Sequence, residues 1–307
     1  MATVRAKPDR TKDHHQRELF RANGISPVKP FLKWAGGKTQ LLPELAKVFP
    51  REGSVDRYFE PFLGSGAVFF HFKALVRPKS AILWDNNVEL VQTFLAVRDR
   101  VEEVIGLLEE HEQRHSKDYY LSMRGRKPSA LSEVAARLIY LNKTCFNGLY
   151  RVNSRGDFNV PIGSYVKPNI LNREGLRRAS ELLAGAEIEA KDFSELPRKV
   201  RAGDFVYFDP PYHPRSDTAY FTAYTRDAFG EKDQKKLATV YRSLDKKDCY
   251  LMLSNSDTPL VHNEYAGFWI KKVSARRNIN SKADRRGPIN ELVVLNDKFV
   301  EASRGRG

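Results

Sequence analysis

Six short apolar runs punctuate the chain, near Tyr58–Phe59, Ala81–Trp84, Phe205–Phe208, Tyr250–Leu253, Phe268–Val273 and Leu292–Leu295, and helical patterns lie between several of them. Strands that alternate with helices predict an open, mostly parallel α/β sheet, because parallel neighbours need a crossover long enough to hold a helix. The alternation breaks once. From Asn86 to about Tyr140 the sequence reads as helix only. Val91, Phe94, Leu95, Val101, Val104, Ile105 and Leu108 form one apolar stripe, and Leu131, Val134, Leu138 and Ile139 form another. The basic stretch Arg124-Gly125-Arg126-Lys127-Pro128 separates them. A helical insertion between two strands of the sheet is expected here.

Charge narrows the partners. The 307 residues include 52 Lys and Arg against 38 Asp and Glu, a formal charge of +14. Such an excess attracts polyanions, and DNA is the densest of them. Residues 1–26 are polar and charged and read as a flexible basic tail. Cys145 and Cys249 stand far apart and outside any C-x-x-C pair, which argues against a disulfide framework or a zinc site. No run approaches the roughly 18 apolar residues of a membrane span, and no apolar signal region opens the chain. A cytosolic, reduced protein with no membrane and no metal is expected.

Two segments carry cofactor chemistry. Glu60-Pro61-Phe62-Leu63-Gly64-Ser65-Gly66 follows a short strand, and its glycines allow a sharp turn and a close approach to a ligand. Asp85 ends the next strand about 20 residues later, the spacing at which an acid can take ribose hydroxyls. A dinucleotide site would want a third glycine where Phe69 stands. Gly37-Lys38-Thr39 mimics the end of a phosphate-binding P-loop, but Leu32 occupies the position of its first glycine, which rejects a triphosphatase.

Asp209-Pro210-Pro211-Tyr212 follows the strand Phe205–Phe208, at the carboxyl end where parallel sheets bind ligands. Asp209 and the Pro210 carbonyl can both accept hydrogen bonds from one amino group. The two prolines stiffen the turn and bring no N–H donors of their own, and Tyr212 can stack on a planar ring. The lone pair of an aromatic amine is delocalised into its ring, so two acceptors gripping the NH₂ would favour the geometry in which it attacks. A separate stretch, Asn142 to Tyr165, holds the turn Asn153-Ser154-Arg155-Gly156 between two short extended runs. It suggests a hairpin of the kind that fits a major groove.

Together Phe31–Thr39, Glu60–Gly66, Asp209–Tyr212 and Tyr140–Tyr165 resemble the Dam-type, D12 class DNA adenine-N6 methyltransferases, with the motif order of their alpha group, over roughly positions 28 to 297. The resemblance implies a Rossmann-like class I methyltransferase sheet. It divides the chain into a catalytic S-adenosylmethionine-binding domain (27–86 and 166–300) and an inserted target-recognition domain (87–165), helical with a β-hairpin. It implies that Trp34, Lys38, Glu60, Phe62, Gly64, Gly66, Asp85 and Asp209 bind the cofactor, with Asp192 on its adenine amino group and Phe193 against that ring. Asp209, Pro210 and Tyr212 would hold the target base, and Phe221–Tyr224 would lie beside the target strand.

On the DNA side the resemblance implies Phe146 as a wedge in the base stack, with Asn147 beside it. Lys33, Leu149, Arg151, Pro161 and Tyr165 would read or flank GATC, and Asn153 and Arg155 complete the DNA-binding set. Ser164 stands where relatives often carry a basic phosphate contact, a role Lys167 can fill. The expected protein is a monomer acting on double-stranded DNA in the nucleoid, and a cognate restriction endonuclease is left open as a partner. Alternatives are an RNA or cytosine-N4 methyltransferase and a silent DNA-binding relative. A cytosine-C5 enzyme fails because neither cysteine follows a proline, and His262-Asn263-Glu264 supplies only half of a zinc deaminase signature.

Overall fold

The computed structural model describes residues 28–34, 37–213, 229–276 and 288–304; the expected tail 1–26 and Phe221–Tyr224 lie outside them. A short helix α1 (Leu42–Ala46) leads into β1 (Arg57–Glu60), α2 (Ala67–Val76) and β2 (Ser80–Trp84). Four helices follow without a strand: α3 (Val88–Asp99), α4 (Val101–Gln113), α5 (Lys117–Gly125) and α6 (Leu131–Thr144). The chain resumes alternation with α7 (Arg173–Leu183), β3 (Glu187–Glu189), α8 (Leu196–Lys199), β4 (Phe205–Phe208), α9 (Glu231–Asp245) and β5 (Tyr250–Ser256). It finishes with α10 (Pro259–Glu264), β6 (Trp269–Arg276), β7 (Pro288–Leu295) and α11 (Asp297–Arg304).

Among the described residues the sheet has seven strands in the order β3-β2-β1-β4-β5-β7-β6. The first five are mutually parallel, while β7 runs antiparallel to both of its neighbours. This is the Rossmann-like methyltransferase sheet expected from the sequence, and the helical insertion leaves it between β2 and β3. All six expected runs are strands. β3 adds one that the sequence hides.

The central strands read as unbroken apolar runs because both of their faces are covered. Tyr58, Phe205 and Tyr207 point into one core cluster, and Phe59, Val206 and Phe208 into the other, the period of two that a pleated strand imposes. The first cluster is continuous with the insertion: Phe94, Ile105, Leu108, Leu138 and Ile139 belong to it, so the helices share a core with the sheet. Side-chain caps fix where these helices start. Asn87 Oδ1 accepts from the Leu90 N–H at 3.1 Å, and Ser116 Oγ accepts from the Tyr119 N–H at 3.1 Å. No described helix is long and apolar enough to cross a membrane. No described cluster of His, Cys, Asp and Glu is suited to a metal, and both cysteines are buried thiols.

Candidate active site

The carboxyl ends of β1, β2 and β4 open onto one cavity of about 670 Å³. One wall is the Glu60–Ser65 loop. Gly64 and Gly66 adopt φ of +49° and +68°, a region that disfavours a side chain. A Cβ on Gly64 would come within 3.1 Å of the Trp34 ring, whereas one on Gly66 would press into Phe70 and Phe94. Gly64 therefore lets the loop approach the cavity, and Gly66 lets α2 approach the core. The Gly66 backbone does not line the cavity. Asp85 locks the loop, since its two oxygens accept from the Gly64 N–H at 3.0 Å and the Asn87 N–H at 2.9 Å. Burial raises its pKa against these two bonds.

Opposite stands the Asp209–Tyr212 turn. Lys38 Nζ lies 2.8 Å from Asp209 Oδ1, with Lys38 only 3% and Asp209 19% exposed. The same ammonium sits 4.5 Å from the centroid of the Tyr212 ring. The Tyr212 hydroxyl donates to Glu291 Oε2 at 2.5 Å, from β7. Burial pushes the Asp209 carboxyl up to about 6; the Lys38 charge and hydrogen bond resist the rise, and Glu291 adds to it. At neutral pH it is therefore mainly an ionised acceptor. Glu60, beneath it, takes the Tyr58 hydroxyl at 2.7 Å. Burial drives its pKa well above the ordinary range against that bond, with help from Asp209.

The turn itself is clamped from behind. Gln234 Nε2 donates to the Pro211 carbonyl at 2.9 Å, and Asn255 Nδ2 donates to Gln234 Oε1 at 3.0 Å. Asn255 Oδ1 accepts from the Ser256 N–H at 2.8 Å, and Ser256 Oγ donates to the His213 carbonyl at 2.6 Å. α9 and β5 thus fix the Pro211 and His213 carbonyls.

Phe62 and Phe229 also line the cavity, 5.6 Å apart edge to face. Asp192 and Phe193 do not line it. Phe193 packs behind Phe62 at 5.4 Å, and Asp192 accepts from the Ser194 N–H and from Lys236 Nζ at 3.1 Å. Sequence reasoning missed Phe229, Gln234, Asn255 and Glu291. The last three come from distant segments and carry no local motif of their own.

The Asn142–Tyr165 segment forms a ribbon with one side in the core, through Cys145, Phe158 and Val160, and the other in water. Its two sides are joined by the bridges Cys145↔Ile162 and Val152↔Phe158 and by backbone bonds that include the Phe146 N–H on the Pro161 carbonyl at 2.9 Å, the Gly163 N–H on the Thr144 carbonyl at 2.8 Å and the Asn159 N–H on the Arg151 carbonyl at 3.0 Å. Phe146, Leu149 and Tyr165 are 47%, 38% and 37% exposed, large apolar groups left facing water. Asn147 takes a left-handed φ of 55°. Buried Asn142 ties the ribbon to the N-terminal segment: its Oδ1 accepts from the Lys33 N–H at 2.8 Å, and its Nδ2 donates to the carbonyls of Lys33 and Gly148. The Lys33 stem lies against Gly148, where a Cβ would come within 2.7 Å of it, and its Nζ sits 4.8 Å from the Tyr165 ring centroid. Arg151 Nε donates to Asn159 Oδ1 at 2.7 Å, across the ribbon. Asn153 is occupied by the turn, accepting from the N–H groups of Arg155 and Asp157, each at 2.9 Å. Arg155 is solvent-exposed beside Asp157.

A family of D12 class N6 adenine-specific DNA methyltransferases matches residues 34–279. A type II methyltransferase of Lactococcus lactis subsp. cremoris is 41% identical over 286 residues, 91% of this chain and 98% of that one. A type II methyltransferase of Methanocaldococcus jannaschii is 43% identical over 286 residues, 88% of this chain and 99% of that one. The DNA adenine methylase of Escherichia coli K12 is 32% identical over 271 residues, 87% of this chain and 95% of that one.

Proposed function

The chain belongs to the D12 class N6 adenine-specific DNA methyltransferases, and from that premise we propose that it moves a methyl group from S-adenosylmethionine to adenine N6 within GATC. The observation that carries this reading is the shared cavity, walled on one side by the Glu60–Ser65 loop with Asp85 and on the other by Asp209–Tyr212. Its volume suits a small cofactor. Asp209, ionised at neutral pH, and the acceptor oxygens of Glu60 and Asp85 face a single lysine there, a lining suited to a ligand that brings hydrogen-bond donors. Trp34, Phe62 and Phe229 supply flat apolar surface.

When bound, the cofactor supplies an electrophilic methyl on a positively charged sulfur. The chain supplies alignment and charge. Asp209 and the Pro210 carbonyl accept from the two N6 hydrogens, and Tyr212, held by Glu291, offers its face to the base. Lys38 keeps Asp209 ionised through the ion pair. The base must leave the duplex to reach this turn, at a cost of a few kcal/mol. Exposed Phe146 can return about 1–3 kcal/mol by stacking. Lys33, Leu149, Arg151, Pro161 and Tyr165 share the ribbon and its Lys33 clip, consistent with one reading surface. In this reading residues 87–165 form the recognition unit, and the protein works on chromosomal DNA in the cytoplasm.

Plasmid DNA methylated by the purified protein and sequenced base by base tests the proposal. N6-methyladenine confined to GATC is expected. N6-methyladenine at another site would refute the ribbon assignment, and N4-methylcytosine would refute the target base.

A further inference from the structure

Trp34 belongs to two sites. It walls the cavity beside Gly64, and its ring stacks on Tyr150 with centroids 5.2 Å apart and planes inclined by 27°. Tyr150 lies in the ribbon between Leu149 and Arg151. It is held from the insertion: its hydroxyl donates to Glu89 Oε2 at 2.9 Å. Glu89 Oε1 takes Arg137 Nη1 at 2.7 Å, and the rest of that buried guanidinium donates to the carbonyls of Met123 and Arg124. Phe158 packs edge-on against Tyr150 at 5.9 Å. The ring thus has a fixed back, and one face rests on a cavity residue.

We propose that Tyr150 is a positioning residue that couples cofactor occupancy to DNA reading through its stack on Trp34. The inference rests on the functional reading above. A cofactor in the cavity restricts Trp34. The stack passes that restriction to Tyr150 and to the backbone that carries Leu149 and Arg151. Whichever ligand binds first orders the shared pair of rings, so the second binds more tightly, and linkage makes the factor equal in both directions. An aromatic pair of this geometry supports a coupling of about two- to tenfold.

The test is calorimetric titration of the full chain with S-adenosylhomocysteine, a product that cannot react, with and without a duplex carrying the methylation site. The ratio of the two dissociation constants is the coupling factor. Wild type is expected to bind the product about two- to tenfold more tightly on DNA. Tyr150→Leu, which fills much of the volume without a ring, should bring the ratio to about one, with a smaller change in either affinity alone. Tyr150→Phe keeps the stack and loses only the hydroxyl's bonds to Glu89 and Asn87, so it should retain the wild-type ratio. A wild-type ratio of one, an undiminished ratio in Tyr150→Leu, or a lost ratio in Tyr150→Phe would each overturn the coupling. A wild-type chain that binds neither product nor duplex would instead overturn the functional reading itself.

Discussion

The cavity and the ribbon are built on opposite plans. Around the cavity the chemical groups are held by each other and by sheet ladders. Asp209 has Lys38, Tyr212 has Glu291, Asp85 has the loop amides, and the turn between them hangs on Gln234, Asn255 and Ser256. In the ribbon the backbone is fastened by Asn142, by bonds across the ribbon and by Phe158 and Val160 in the core, while Phe146, Leu149 and Tyr165 keep more than a third of their surface in water. Groups that align a reacting amine gain from being fixed in advance. Groups that read base edges find their partners on the nucleic acid and need only a stable platform.

That contrast can be broken from either side. Replacing Asp209 by Ala should cost roughly 10³-fold in methylation rate while cofactor affinity survives; a variant with full turnover would remove Asp209 from the chemistry. On the ribbon, Arg151→Ala should leave the rate constant on saturating DNA near normal and relax discrimination at one guanine by about 1–3 kcal/mol. Competition between cognate and substituted duplexes reads this directly, and an unchanged preference counts against the assignment.

The two regions should also part in their pH response. Asp209, raised to about 6 by burial against the Lys38 pair, is protonated below that pH and loses its acceptor role. The kcat/KM of wild type should therefore be level above about pH 6 and fall tenfold per unit below it, since this ratio reports the free enzyme. The ribbon has no histidine. Its own perturbed cation is Lys143, lowered to about 8 by burial and by Lys33, so its charge is lost on the alkaline side. An acid limb for duplex affinity that tracks the one for turnover would merge the two regions again. The smallest expected effect belongs to Gln234→Leu. Loss of the Pro211 clamp should lower kcat about fivefold, the worth of one hydrogen bond, with KM for DNA unchanged.

The parallel sheet was legible because buried strands must be apolar on both faces. Phe205–Phe208 is buried throughout and ends at its motif, so its limits could be read directly. β3 was not legible. It is an edge strand of three residues, two of them glutamates, and only Ile188 is buried. The same physics divides the site. The Glu60–Gly66 loop and the Asp209–Tyr212 turn are local sequences whose glycines and prolines announce a shape. The Lys38 partnership with Asp209, and the reach of Glu291 from β7 to Tyr212, exist only once the sheet brings distant segments together. Phe193 shows that a local match does not fix placement: its ring packs against Phe62, which itself lines the cavity.

Asn142 has a consequence for anyone wishing to retarget this enzyme. It binds the backbone of Lys33 on one side and of Gly148 on the other, so in the proposed reading the DNA-reading surface is assembled from two stretches of sequence by one buried amide. A chimera that imports a foreign 142–165 segment would inherit this chain's Lys33 seated on an alien platform. Unless the donor brings its own asparagine and glycine at those positions, or its own N-terminal segment, the graft should dock out of register. On the proposed reading, specificity is then a composite part, to be exchanged only as one.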